Sequence, residues 1–168
     1  MTIFNFTRLV LLSLWLGAAV FFGVVVAPTA FTVLRSFAVP NANEIAGTIV
    51  TRALSVVSIS GFLIGLLLLV TAFARRNAPG RVGFLAELIC LVIIVLATGL
   101  GHWFIAARML GLRAAMALPI DQIAVDDPRR IAFNSLHGYS VKAFGLAMIA
   151  AMLAVVLIAR SLSGKFQG

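Results

Sequence analysis

The chain has 168 residues, of which 62% are hydrophobic and only 11% charged, with a mean hydropathy of +1.15. A soluble domain of this length cannot bury so much apolar surface, which excludes an ordinary globular class and points to several membrane spans. The formal net charge of +8 could suit nucleic acid, but no nucleic-acid-binding motif occurs, and the thirteen Lys/Arg lie near the ends of apolar runs, where cations anchor helices and meet anionic lipid. The single cysteine, Cys90, excludes an intrachain disulfide and any cysteine-based metal cluster.

The first apolar run, Leu9 to Leu34, reads "LVLLSLWLGAAVFFGVVVAPTAFTVL". Arg8 ahead of it resembles the start of a signal peptide. The run is too long for one, however, and "VVAPTA" puts a proline where a cleavage site needs small residues, so a retained helix is expected. Gly17, Gly23 and Pro28 are expected to shape this helix for close packing. In "VPNANEIAG", Asn41 or Asn43 can cap a helix that begins near Glu44 and runs into the second span, Ala53 to Ala74. That span contains Gly61 and Gly65 at GxxxG spacing, reinforced by Ser58 and Ser60. Small residues four apart let two backbones approach closely, either within the chain or between copies of it.

"RRNAPGR", Arg75 to Arg81, reads as a tight link broken by Pro79 and Gly80. The third span covers Val82 to Ala107, and its helix is expected to continue through "ARMLGLRAAMA" until Pro119. In "AVDDPRRIAF", Asp127 is placed as an N-cap with Pro128 at the first helical position. The fourth helix then extends to about Leu162, and its apolar part is Ala143 to Ala159 with flanks, a span over residues 139–161. A helix needs about 20 residues to cross about 30 Å of hydrocarbon, so all four runs suffice. The expected fold is all-α: one integral membrane domain over residues 1–168, a four-transmembrane-helix bundle with two helical hairpins protruding on one side. Six Lys/Arg lie on the terminal face and six on the hairpin face, with Lys142 at the border, so the positive-inside rule assigns no orientation.

An ionisable residue within a span is expensive and marks a functional hypothesis. Glu87, in "GFLAELICL", could relay protons or bind a cation, but its nearness to the helix end favours an ion pair with Arg81 or Arg8. His102 and His137 could hold a haem, a chlorin or a metal if they faced one another. Counting residues from the third connection puts them about 9 Å apart in height. A shared site therefore needs a kink, for which Gly99 and Gly101 are the candidates. In that register His102 is level with Lys142, which lies at the lipid boundary, and Trp103 and Tyr139 occupy the interfacial belt. Met109, Met116, Met148 and Met152 invite a copper reading, but methionines in apolar helices are usually packing residues, and no metal site is assigned. No G-x-S-x-G, P-loop, Rossmann glycine pattern or HExxH occurs.

"LWLGAAVFFGVVVAPTAFTVL" followed by "NEIAGTIVTRAL" resembles the transmembrane-protein-205-like family of small four-helix membrane proteins. "RMLGLRAAM" is similar to that family's "I..LR" at the end of the third helix, and "FNSLHGYSV" to its "F..LH..S" opening the fourth. On that likeness Pro28, Gly47, Arg113, Phe133, His137 and Ser140 are the family positions. The chain departs from the pattern after Gly47, where the family often has aromatics and this sequence has "TIVTRALSVV". The resemblance implies a fold and a membrane location but no reaction. A looser similarity, to copper-resistance D-like and haem-binding membrane proteins, rests on histidines in short helical bundles.

Spacings of four and three put Phe133, His137 and Ser140 on one helical face, so a hydrogen bond from His137 that pins the fourth helix to the third is expected. The functional expectation is a non-enzymatic, multi-pass component of a bacterial cytoplasmic membrane. It would be an accessory or scaffold subunit that meets the lipid bilayer and other membrane subunits or itself. The alternatives are a haem- or chlorin-binding redox protein using His102 or His137, and a transporter of a small solute or metal ion with Glu87, His102 and Lys142 along its path.

Overall fold

The computed structural model describes residues 2–73 and 81–163, and among them the regular structure is helical throughout. The first helix runs over Thr2–Phe21, widens into a π-helical turn at Phe22–Val26 and resumes over Ala27–Ser36. The second is Ala42–Phe73. The third runs over Arg81–Gly99, passes through a π-helical segment at Leu100–Ala106 and ends with Ala107–Ala114. The fourth is Pro128–Ser163, reached through a short 3₁₀ turn at Ile120–Gln122. All four are apolar and long enough to cross a membrane. Each is about 50 Å long at 1.5 Å per residue, so it overshoots about 30 Å of hydrocarbon and protrudes. The protein is an all-α, four-helix, multi-pass membrane protein. The expected link from Arg75 to Arg81 lies outside the described residues, apart from the backbone of Arg81, which opens the third helix.

Both expected hairpins are present and lie together. Gln122 Nε2 donates to Asn41 Oδ1 (3.2 Å), and Asn43 Nδ2 donates to Asp121 Oδ1, so the two connections meet on one side of the bundle. The first connection reverses over five residues. Ala38 and Asn41 take left-handed φ angles of 49° and 56°, and Val39 N–H closes back on the Leu34 carbonyl (3.2 Å). Asn41 holds the expected N-cap position, its carbonyl accepting from the Ile45 N–H (3.1 Å), but its side chain bonds elsewhere. The second helix begins at Ala42, ahead of Glu44, and both asparagine side chains reach across to the other connection instead. Asp127 acts as expected, its Oδ1 accepting from the Arg129 N–H (2.8 Å) ahead of the fourth helix. The third helix stops at Ala114, short of Pro119, because Arg113 turns its Nη1 onto the Leu118 carbonyl (3.0 Å) and folds the chain back.

Pro28 shapes the first helix, but by backbone chemistry rather than packing. A proline donates no hydrogen bond and crowds the carbonyl four residues before it. The turn just ahead is widened, and Ala27 N–H bonds to the Phe22 carbonyl five residues back. The Pro28 side chain is itself exposed. Gly17, also expected to aid packing, faces open space.

In hydrocarbon, apolar side chains gain little by leaving lipid for one another, so helices associate through close fit and polar contacts. The core shows this sorting. Ala147, Ala150, Ala151 and Ala154 are almost fully buried on the fourth helix, which packs on the third and the first. Leu12, Leu68, Leu91, Ile94 and Ile158 fill the gaps between the alanines. Larger side chains such as Leu14, Val24, Leu63, Val70, Ile89 and Ile149 point outward toward lipid.

The glycine pair of the second helix is used inside the chain. A Cβ on Gly61 would lie 2.5 Å from Cζ2 of Trp15, and one on Gly65 would lie 2.9 Å from Cγ2 of Val95. Trp15 is buried, and its indole N–H donates to the Val57 carbonyl (2.9 Å). One glycine thus admits the first helix and the other admits the third.

Gly61→Ala is expected to cost roughly 1–3 kcal/mol, the usual cost of overpacking, because the buried indole has no room to retreat. Gly17→Ala should be neutral within about 0.5 kcal/mol. Denaturant titration in detergent micelles, followed by tryptophan fluorescence, checks both.

Candidate functional site

Three polar features are built into the bundle, at different depths. Nearest the termini is a buried ion pair. Asn5, Arg8, Leu12, Trp15, Ala19 and Phe22 follow helical spacings of three and four and form the inner face of the first helix. Arg8 is 2% exposed and Glu87 4%. Arg8 Nη2 lies 2.6 Å from Glu87 Oε1 and also donates to the Leu68 carbonyl (2.9 Å). One guanidinium therefore ties the first helix to both the second and the third. Cys90 is buried one turn along from Glu87.

The second feature is a cavity of about 30 Å³ between the second, third and fourth helices. Thr51, Ser55 and Ser58 line it from the second helix, Thr98, Gly101 and His102 from the third, and Ser140 and Phe144 from the fourth. Two of the hydroxyls bond to their own helices: Ser55 donates to the Thr51 carbonyl (2.9 Å) and Thr98 to the Ile94 carbonyl (2.6 Å). His102 stacks edge-on against Trp103, with ring centroids 5.0 Å apart, and Trp103 meets Phe62 in the same way at 4.8 Å. The Nδ1 atom of His102 is buried and has no hydrogen-bond partner among the described residues.

The third feature is the polar cap on the hairpins. Arg113 Nε donates to both oxygens of Glu44 (2.7 and 2.8 Å), and Glu44 Oε2 also accepts from the Ile120 N–H (3.2 Å). Asn43 Oδ1 accepts from Arg35 (2.8 and 2.6 Å) while its amide group donates to Asp121, so one asparagine bridges the two hairpins. Arg129 pairs with Asp127 (2.7 Å) and donates to the Ala115 carbonyl (2.8 Å), and Arg130 donates to the Ile123 carbonyl. Hydrogen bonds from Arg129 hold the Asp127 carboxyl down at about 2.

Glu87 pairs with Arg8, one of the two expected partners, and the pair is buried rather than interfacial. His102 and Ser140 share the cavity, in agreement with the height expected for His102. The π-helical segment falls at Gly99 and Gly101, where a helix irregularity is expected, but it does not unite the histidines. His137 is exposed, does not line the cavity and makes no side-chain hydrogen bond among the described residues. The expected pinning bond is therefore absent there. At 100° per residue His137 points about 40° away from Phe133 and about 60° from Ser140, so it falls at the edge of a narrow inner stripe.

Lys142 is exposed too, its ammonium 5.8 Å from the Tyr139 ring centroid. Gly47 has no neighbour that a Cβ would meet. Met116 is buried, while Met152 faces outward. Among the described residues no three His, Cys, Asp or Glu side chains cluster as a metal site would. Sequence reasoning singled out Arg113 but missed its partner Glu44, which lies 69 positions away. The pattern of buried alanines at spacings of three and four on the fourth helix was available as a signal. The polar face of Thr51, Ser55 and Ser58 was available too.

Removing one partner of a buried pair strands the other charge, so Glu87→Gln should destabilise the fold by about 3–5 kcal/mol. The double variant Arg8→Met/Glu87→Leu should recover most of that loss, since an apolar replacement of both ions is often neutral. Denaturant unfolding of the two variants in detergent gives the comparison. For Asp127 the folded-state value lies below the ordinary 3.8. Its hold on the start of the fourth helix is thus complete above about pH 4 and lost as pH falls through about 2. Amide exchange at Arg129 and Arg130, compared across that window, should show protection falling as the pH is lowered.

No curated protein and no solved structure matches the chain significantly. A family model described as "Domain of unknown function (DUF4149)" matches residues 10–117, more than half of the chain. The match takes in most of the first helix, the second and third helices and the first hairpin. It ends before the fourth helix, so Phe133, His137 and Ser140 lie beyond it. Glu87, most of the cavity wall and the Glu44–Arg113 contact lie within the match, with Arg8 two residues ahead of it, and on that match the chain belongs to the family of unknown function DUF4149.

Proposed function

We propose that the protein is a non-catalytic component of a larger membrane assembly, an accessory or scaffold subunit that associates with other membrane proteins or with itself. The observation that carries this reading is the ordered cap outside the bilayer. Asn43 bridges Arg35 and Asp121, and Glu44 holds Arg113 and the Ile120 N–H, so both hairpins form one polar platform. A pre-ordered surface loses little conformational entropy when a partner docks. The ionisable groups inside the bilayer serve packing, because Arg8 and Glu87 fasten helices together. The resemblance to the transmembrane-protein-205-like family, which implies no reaction, is consistent with this role, as is a bacterial cytoplasmic membrane.

The geometry supports the other two readings less well. A transport path through Glu87, His102 and Lys142 would have to cross the packed layer of Trp15, Leu91 and Ile94, and Lys142 points outward. A histidine that ligates haem or a chlorin normally donates its second ring N–H to an acceptor. His102 Nδ1 has no such acceptor among the described residues, and His137 stands apart from it.

Isolation from native membranes in mild detergent should give a particle heavier than one chain with its micelle. Mass spectrometry should then find a second copy or a recurring membrane partner. Asn43→Ala, which removes the Arg35–Asn43–Asp121 link of the cap and leaves the apolar spans untouched, should lower the assembled fraction several-fold while unfolding stays within about 1 kcal/mol of the parent. A monodisperse, partner-free monomer overturns the proposal.

A further inference from the structure

Of the two π-helical turns among the described residues, one forms part of the wall of the cavity beside His102 and the other touches a wall residue. Leu100–Ala106 carries Gly101 and His102 in the cavity wall. Phe22–Val26 presents Phe22 to Phe144, with ring centroids 6.0 Å apart, and Gly23 lies beside the same ring, where a Cβ would stand 3.8 Å from Phe144 Cε1. Phe144 is itself a wall residue. Wide turns of this kind are rare and are found mostly at functional sites, where they re-aim side chains or admit a water to the helical ladder.

We propose that this cavity is a binding site for a small uncharged hydrogen-bonding molecule, an internal water, with His102 Nδ1 as the atom that recognises it. A buried ring nitrogen left unpaired carries its full desolvation cost, and in a bilayer no bulk solvent relieves it. A cavity of about 30 Å³ exceeds the roughly 10–15 Å³ that one water needs, and it is too small for a macrocycle. The two to four polar partners that a buried water requires are in the wall: the imidazole, with the hydroxyls of Thr51, Ser58 and Ser140. Among the wall residues there is no acid and no cation, which matches a neutral occupant. The water donates to Nδ1 and accepts from one hydroxyl of the second helix and from Ser140 of the fourth, and so joins the second, third and fourth helices where the third is most irregular.

Solid-state NMR on ¹⁵N-histidine-labelled protein in lipid bilayers tests this directly, with His137→Gln used to assign the two rings. The expected result is water-to-ring magnetisation transfer at His102 Nδ1, in a neutral ring protonated at Nε2. Ser140→Val removes a hydroxyl and fills the cavity with methyl groups. It should reduce that transfer at least three-fold and leave His137 unchanged. If Ser140→Val does not fold, Thr51→Val is the substitute, with the same expectation. Absence of transfer in the parent protein overturns the proposal. So does equal transfer in parent and folded variant, which would mean that the ring is wetted from outside the cavity.

Discussion

A helix in hydrocarbon gains little by trading lipid for the apolar face of another helix, and the whole architecture follows from that constraint. What remains to hold helices together is close fit and the pairing of groups that lipid cannot solvate. The chain supplies both on its inner faces. Trp15 closes over Gly61, Val95 over Gly65, and the alanines of the fourth helix lie in the core. A few large aliphatics such as Leu12, Leu91 and Ile94 fill the core between them, while many others, Leu14, Val24 and Ile89 among them, face outward. The sorting is by size more than by polarity.

Polar chemistry is then arranged by depth. The Arg8–Glu87 pair fastens three helices near the terminal side, where a lone charge would be ruinous and a paired one specifies which helices meet. The hairpin side has access to water, and there the network of Asn43, Glu44 and Arg113 orders two connections into one surface. Between them, among the described residues, lies the cavity at His102, whose Nδ1 closes no contact. The π-helical segment Leu100–Ala106 supplies Gly101, His102 and Ala106 to the cavity wall.

These features bear differently on function. The fastened ions and the ordered cap describe a rigid part suited to association. The cavity describes a site scaled to a single small molecule. The two proposals are compatible, since a hydrated pocket would tune helix packing without altering the outer surface.

Much of the fold was legible in the sequence. Run length and hydropathy determined four spans, because crossing hydrocarbon demands a fixed number of apolar residues and internally satisfied backbone bonds. Asp127 and Pro128 marked the start of the fourth helix, and a glutamate beside arginines marked an ion pair, since these depend on local chemistry and on the cost of a charge in lipid. Tertiary structure alone decided the rest. Whether Gly61 and Gly65 serve the chain or a dimer depends on which helix arrives there. Glu44 meets Arg113 across 69 residues, a pairing with no local signature. His137 is exposed and His102 faces a cavity because rotation about each helix axis is set by its neighbours, and a shift of 40° or so moves a side chain from the core to the outside. Sequence determined which segments cross the membrane, because that is a matter of length and solvation. The packed bundle decided which atoms meet, because in lipid only fit and pairing choose a partner.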